Sequence, residues 1–273
     1  MSTALFILVA LLIPAAVFAG EQPERMDLGD LILIAHRGVV SENIPENSLA
    51  SLEETIRRGY SHVEVDLRCT RDGHAVCAHD DSLRAAAGLS ANVSELTLAE
   101  LRALVPQNIV PDFATFCAYS EGRIGLMVDI KAGPDDQKEA YARSIEAPLR
   151  KHGLMEDAYF IGRRAVTEHF SAPGGRLSWR ASLEEARNSD RQKPGERYFI
   201  FGHAADFDEA AVKGFQDMGL KVIVSINIHH YLRIGDWQLN GNQDVKRMMA
   251  YSVDGLQIDC VYEPAVREML DRQ

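Results

Sequence analysis

The chain is poor in cysteine, with four in 273 residues and no two in a CxxC pair. That spacing argues against structural zinc, whose thiolate ligands usually come in such pairs. Positive charge is also scarce. There are 29 Lys and Arg against 40 Asp and Glu, a formal net charge of −11. A nucleic-acid binder would normally present a basic face, so that class of partner is set aside. One bound phosphate is still allowed, because a local arginine or a cation outweighs a distant surplus of acid. No glycine-rich dinucleotide fingerprint follows the first strand-like run, which disfavours a Rossmann fold. Repeats, low-complexity tracts and an interdomain linker are absent, and no feature implies a stable protein partner. The chain begins with an uncharged run, Ser2 to Gly20, apolar over Leu5–Leu12 and ending in Val17-Phe18-Ala19. This predicts a signal peptide over residues 1–19 and a secreted or periplasmic protein, or a membrane-anchored one if the leader is retained.

What is present is the composition of a globular domain, 46% hydrophobic and 25% charged. Strand-like runs fall at Leu31–Ala35, Val63–Leu67, Ile124–Ile130, Ala158–Ile161, Arg176–Trp179, Tyr198–Phe201, Lys221–Ile226 and Gly255–Ile258. Helical patterns separate most of them, at Ser48–Arg58, Asp135–His152, Leu183–Arg187, Asp208–Met218, Asp244–Tyr251 and Glu263–Asp271. Pro148 is expected to kink or split the second helix. Eight strands with interspersed helices predict one (β/α)8 TIM barrel over 27–273, and an open doubly wound sheet is the alternative. The stretch 68–110 breaks the alternation and reads as a small insertion after the second strand, with a hairpin at Asp72-Gly73 and a helix over Thr97–Leu104.

The densest chemistry lies between Leu31 and Asp80. An apolar run ends in His36-Arg37-Gly38, and Pro45-Glu46-Asn47-Ser48 opens a helix. The second strand carries Glu64 and Asp66, and His79-Asp80 follows the hairpin. Glu64 and Asp66 are two apart on an extended segment and share one side of it. Such a pair either faces water, with Val63, Val65 and Leu67 inward, or flanks a divalent cation, since hard cations take carboxylate oxygens. His36, Arg37 and His79 nearby favour the cation. Farther on, Asp129 and Lys131 share a face at the polar end of the third strand, as an ion pair or as part of the same site.

This set of residues, in this order, resembles the glycerophosphodiester phosphodiesterase family, strongly from Leu31 to Leu101 and at Asp129–Lys131, and thinly beyond. The resemblance implies a TIM barrel and the metal-dependent hydrolysis of glycerophosphodiesters to glycerol 3-phosphate and an alcohol. It implies Glu64, Asp66 and Asp129 as ligands of Ca²⁺ or Mg²⁺, although the third ligand in the family is a glutamate. Arg37 and Lys131 would bind substrate, and Glu46 would bind substrate, metal or Arg37. His36 and His79 would be the acid/base pair on opposite sides of the phosphorus, with their roles left open. The nucleophile would be water or the neighbouring glycerol hydroxyl. Related readings are a lysophospholipase D or sphingomyelinase D-like enzyme and a catalytically silent phosphoglycerol-binding module.

Several residues have plainer expectations. Asn47 and Ser48 are expected mainly to cap the following helix. His62, His229 and His230 are taken as structural or exposed, His203 as a pocket candidate, and Asp254 as shaping the start of a strand. Cys69 and Cys77 flank the Asp72-Gly73 turn, and they bridge only if the hairpin register sets them opposite each other.

Overall fold

The structure, a computed structural model, describes residues 25–131, 133, 137–162, 167–171 and 174–272. The expected signal peptide lies outside them. Eight parallel strands close into a barrel: β1 (Ile32–Ala35), β2 (His62–Cys69), β4 (Gly125–Ile130), β5 (Tyr159–Gly162), β6 (Arg176–Trp179), β7 (Tyr198–His203), β8 (Lys221–Ile226) and β9 (Gly255–Ile258). Pairing of β1 with both β2 and β9 closes the circle, so the open-sheet alternative is excluded. The short strand β3 (Ala75–Cys77) lies antiparallel on β2, outside the circle.

Side-chain alternation builds two cores. Val63, Val65 and Leu67 point outward against the helices, with Leu33, Leu126 and Val224. The opposite parity, including Ile32, Ile34, Met127, Tyr159, Phe199 and Ile223, fills the barrel. Tyr159 meets Phe199 edge to face at 5.0 Å, a geometry that aromatic quadrupoles favour. Glu64 and Asp66 share this inner parity and are each 1% exposed. Their strand therefore has no polar face in water.

Helices α1 (Leu49–Arg58), α4 (Phe113–Ser120), α5 (Lys138–Lys151), α6 (Leu183–Arg187), α7 (Glu209–Gln216), α8 (Ile228–Tyr231), α9 (Trp237–Ala250) and α10 (Glu263–Leu270) follow the barrel strands. Between β2 and α4 lie β3, α2 (Arg84–Ala87) and α3 (Leu98–Leu104), which bury a core of their own around Val76, Leu83, Val93 and Leu101. No helix among the described residues is long and apolar enough to cross a membrane.

The structure bears on three local expectations. Pro148 does not split α5, which runs unbroken through it. The proline lacks only its own N–H, so the helix gives up the one bond to the Ser144 carbonyl and continues. Helix α9 begins at Trp237, seven residues before Asp244, because Asp236 caps it by accepting from the N–H groups of Gln238 and Leu239. Its Gly241 is a contact point, since a Cβ there would come within 2.2 Å of the Tyr262 ring. Finally, Cys69 faces Ala75 across the hairpin and Cys77 faces Leu67. The two sulfurs are out of register, and all four cysteines are free thiols.

Candidate active site

The site is assembled at the carboxyl ends of the strands, the face on which TIM-barrel loops converge. After β1 the chain reverses through Arg37 (φ 58°) and Gly38 (φ 79°), both left-handed. A Cβ at Gly38 would lie 2.6 Å from the Ser51 hydroxyl, so helix α1 can approach only a glycine. Ser48 caps that helix with a reciprocal box to Ser51. Asn47 does something else. Its amide donates to Asp66 Oδ2 at 3.0 Å, and its Oδ1 accepts from the Asp66 N–H at 2.9 Å. The expectation of a simple capping residue is therefore correct for Ser48 and wrong for Asn47.

Glu64, Asp66 and Asp129 offer oxygens that all lie within 4.8 Å of one another. Parallel pairing of β2 with β4 sets Asp66 directly beside Asp129. Lys131 Nζ sits on the same oxygens, 2.7 Å from Asp66 Oδ1 and 2.6 Å from Asp129 Oδ2. Burial would raise the Asp66 carboxyl, but Lys131 and Arg37 outweigh it and hold Asp66 below its ordinary range. Lys131 is held up as an ammonium in return, against its own desolvation, by Asp66 and Asp129. Glu64 is different. Burial, and then the charges of Asp66 and Asp129, push it well above the usual carboxylate range. Among the described residues its one hydrogen-bond donor is the Arg37 N–H, 2.8 Å from Oε2. A buried carboxyl beside two others, without a cation of its own, is the donor set a hard divalent ion fits.

The histidines are oriented by carboxylates. His36 Nδ1 is 2.7 Å from Asp259 Oδ1, and His79 Nδ1 is 2.9 Å from Asp80 Oδ1. With Nδ1 donating to a carboxylate, Nε2 carries the lone pair and faces away from it. Asp259 also accepts the Ile228 N–H through Oδ2 at 2.5 Å. Arg37 donates to Glu46 at 2.9 Å, which places Glu46 as the arginine's partner and outside the acidic cluster. Arg68 clamps the His79 carbonyl with Nε and Nη2, at 2.9 and 2.7 Å.

Two cavities flank the cluster. His36, Glu64, Asp129 and Lys131 line the larger, of about 840 Å³, whose far wall is built by β6 and β7. Arg37, Glu46, Asn47 and His79 line the smaller, of about 320 Å³. Asp66 lies between them, touching Lys131 on one side and Arg37 and Asn47 on the other. His203 lines the larger cavity as expected, stacked on His230 at 4.1 Å. His62 is structural, set edge-on to Tyr159. Asp254 accepts from the Val222 N–H at the start of β8, as expected. Asp259 and Arg68 were not singled out by sequence reasoning. The signal for Asp259 was its place at the end of the last strand, which in a closed barrel is next to His36 at the end of the first.

Fold and site together define a (β/α)8 barrel whose C-terminal face gathers three carboxylates, two cations and two carboxylate-oriented histidines. Residues 36–151 match the Glycerophosphoryl diester phosphodiesterase family. A glycerophosphodiester phosphodiesterase of Caldanaerobacter subterraneus is 36% identical over 73 residues, which cover 27% of this chain and 30% of that protein. Lysophospholipase D GDPD1 of Homo sapiens is 31% identical over 143 residues, covering 52% of this chain and 44% of the relative. The chain spans less than half the length of these curated relatives. The fold is shared with a glycerophosphodiester phosphodiesterase from Parabacteroides distasonis (TM-score 0.69, 19% identity, 89% of this chain and 98% of that one). It is also shared with an Oleispira antarctica phosphodiesterase solved with the product sn-glycerol-3-phosphate (TM-score 0.66, 21% identity, 88% and 96%).

Proposed function

We propose that the chain hydrolyses glycerophosphodiesters to glycerol 3-phosphate and an alcohol. The observation that carries this reading is the convergence of Glu64, Asp66 and Asp129 with Lys131 and Arg37, which both reach Asp66, beside the Asp259-oriented His36 at the larger cavity. A Ca²⁺ or Mg²⁺ ion held by the three carboxylates would act as a Lewis acid on the phosphate oxygens. Arg37, fixed by Glu46 and Asp66, offers a planar fork to the same anion. Lys131 offsets the charge that grows on oxygen as the phosphorus is attacked. His36 and His79 exchange the two protons through Nε2, one taken from the nucleophile and one given to the leaving alcohol.

A lysophospholipid is the second substrate class. It is favoured by exposed Leu232, Ile234 and Leu239, in the segment that follows β8 at the carboxyl-end face.

The test is release of glycerol 3-phosphate from glycerophosphoinositol, with lysophosphatidylcholine as a second substrate. Each is assayed with EDTA and again after Ca²⁺ or Mg²⁺ is restored. Turnover should need the ion and should fall by at least about 100-fold in both His36→Ala and His79→Ala. Binding of the diester without any turnover would make the site a binding module and overturn the reading.

A further inference from the structure

The larger cavity has a second chemical character, away from the acidic cluster. On the arc opposite β1, β2 and β4, Arg191 lies over two aromatic rings, 4.8 Å from the Trp179 centroid and 4.7 Å from that of Tyr198. The rings themselves are 5.8 Å apart and tilted. Arg180, exposed, lines the same wall, as does His203. Among the described residues, neither arginine has a carboxylate partner, and Arg191 Nε is buried without a hydrogen bond. The one acid of this arc among the described lining residues is Glu168, which already has a partner, so the arc keeps an excess of positive charge.

Two kinds of leaving group could enter here. Aromatic faces attract quaternary ammonium groups. Both of these faces are already covered by a guanidinium, and a second cation would meet Arg191 and Arg180 directly. An anionic group meets the reverse situation, with two guanidinium forks lining one wall of the cavity.

We infer that the β6–β7 wall is a headgroup subsite for an anionic leaving alcohol, one bearing a second phosphate or a carboxylate, with Arg191 and Arg180 as its specificity-determining residues. Contact with both rings restrains the Arg191 guanidinium, so less side-chain freedom is lost when it binds. The inference rests on the phosphodiesterase reading for its placement of the scissile phosphate at the acidic cluster.

The experiment compares three diesters on the purified full chain: glycerophosphoinositol 4-phosphate, glycerophosphoinositol and glycerophosphocholine. Wild type should give the highest kcat/KM on the first and the lowest on the last. In Arg191→Gln and in Arg180→Gln, the ratio of the first to the second should fall roughly 10- to 100-fold, the range for losing a charge-assisted hydrogen bond. Arg191→Lys should recover part of it. Equal turnover of the three by wild type, or an unchanged ratio in both variants, overturns the subsite and leaves the enzyme reading intact. If no diester is cleaved, calorimetry with inositol 1,4-bisphosphate decides. Binding lost in Arg191→Gln keeps the subsite and removes the enzyme reading, and absence of binding to wild type removes both.

Discussion

Replacing Asp259 by Asn tests how the site is built with a change of one atom. The Asp259 carboxylate serves two donors at once, His36 Nδ1–H at 2.7 Å and the Ile228 N–H at 2.5 Å. An amide of the same shape has one acceptor oxygen and one NH₂. Whichever way it turns, one donor faces another donor. If the oxygen goes to His36, the start of α8 loses its anchor. If it goes to Ile228, the NH₂ faces His36, which must place its proton on Nε2 and lose the lone pair it needs. His36 is 16% and Asp259 22% exposed in their side chains, so solvent screens the contact only partly. Loss of a hydrogen bond to a charged group costs about 1.5–3 kcal/mol, or roughly 10- to 150-fold in kcat/KM. The orphaned donor should also cost about 1 kcal/mol of stability, at the low end because water can reach it. The assay is steady-state turnover of a glycerophosphodiester at saturating metal, beside thermal unfolding. Asp259→Asn with kcat/KM within about threefold of wild type would refute the claim that this carboxylate aims His36.

Two further predictions concern stability. Saturating the acidic cluster with its preferred ion, at about 100 times Kd, should stabilise the fold by about 2.7 kcal/mol. For a domain of this size that raises Tm by roughly 5–10 °C. Scanning fluorimetry with Ca²⁺ and with Mg²⁺ should show the rise in wild type and a much smaller one in Glu64→Gln, and equal shifts in both proteins would remove Glu64 from the ligand set. His62 concerns pH. Burial lowers its pKa from 6.5 to about 4. Between those values the unfolded chain binds the proton and the folded chain does not, so stability falls as pH drops from 6.5 toward 4. His62→Gln should flatten this part of the Tm–pH curve, and a curve parallel to wild type would show that His62 does not cause the slope.

The strands were legible because apolar runs of four to seven residues recur between helical patterns, and each of the eight lies within two residues of its expected ends. Glu64 and Asp66 were legible as a pair from strand parity alone, yet parity could not say whether their side faced water. Barrel closure decides that, and it puts both at 1% exposure. The role of Asn47 was hidden because an Asn next to a helix start is an ordinary cap, whereas its contact with Asp66 depends on how α1 packs on β2. Asp259 and His36 are 223 residues apart, and no local pattern marks them as neighbours. The hairpin cysteines show the opposite limit. Their nearness in sequence left a bridge open, and the register sets Cys69 on Ala75 and Cys77 on Leu67, where neither cysteine faces the other. The contact of Arg191 with Trp179 and Tyr198 was invisible for a similar reason, since the three residues come from β6, β7 and the segment between them.

The pairing of β1 with β9 has a consequence for when the chain becomes competent. His36 is among the first residues of the domain to be synthesised, and Asp259 among the last. A chain still emerging from the ribosome, or one cut before β9, could already hold all three acidic groups on β2 and β4 and still leave its histidine unaimed. Turnover would then report that the final strand has docked, and its recovery during refolding should trail the recovery of cation binding.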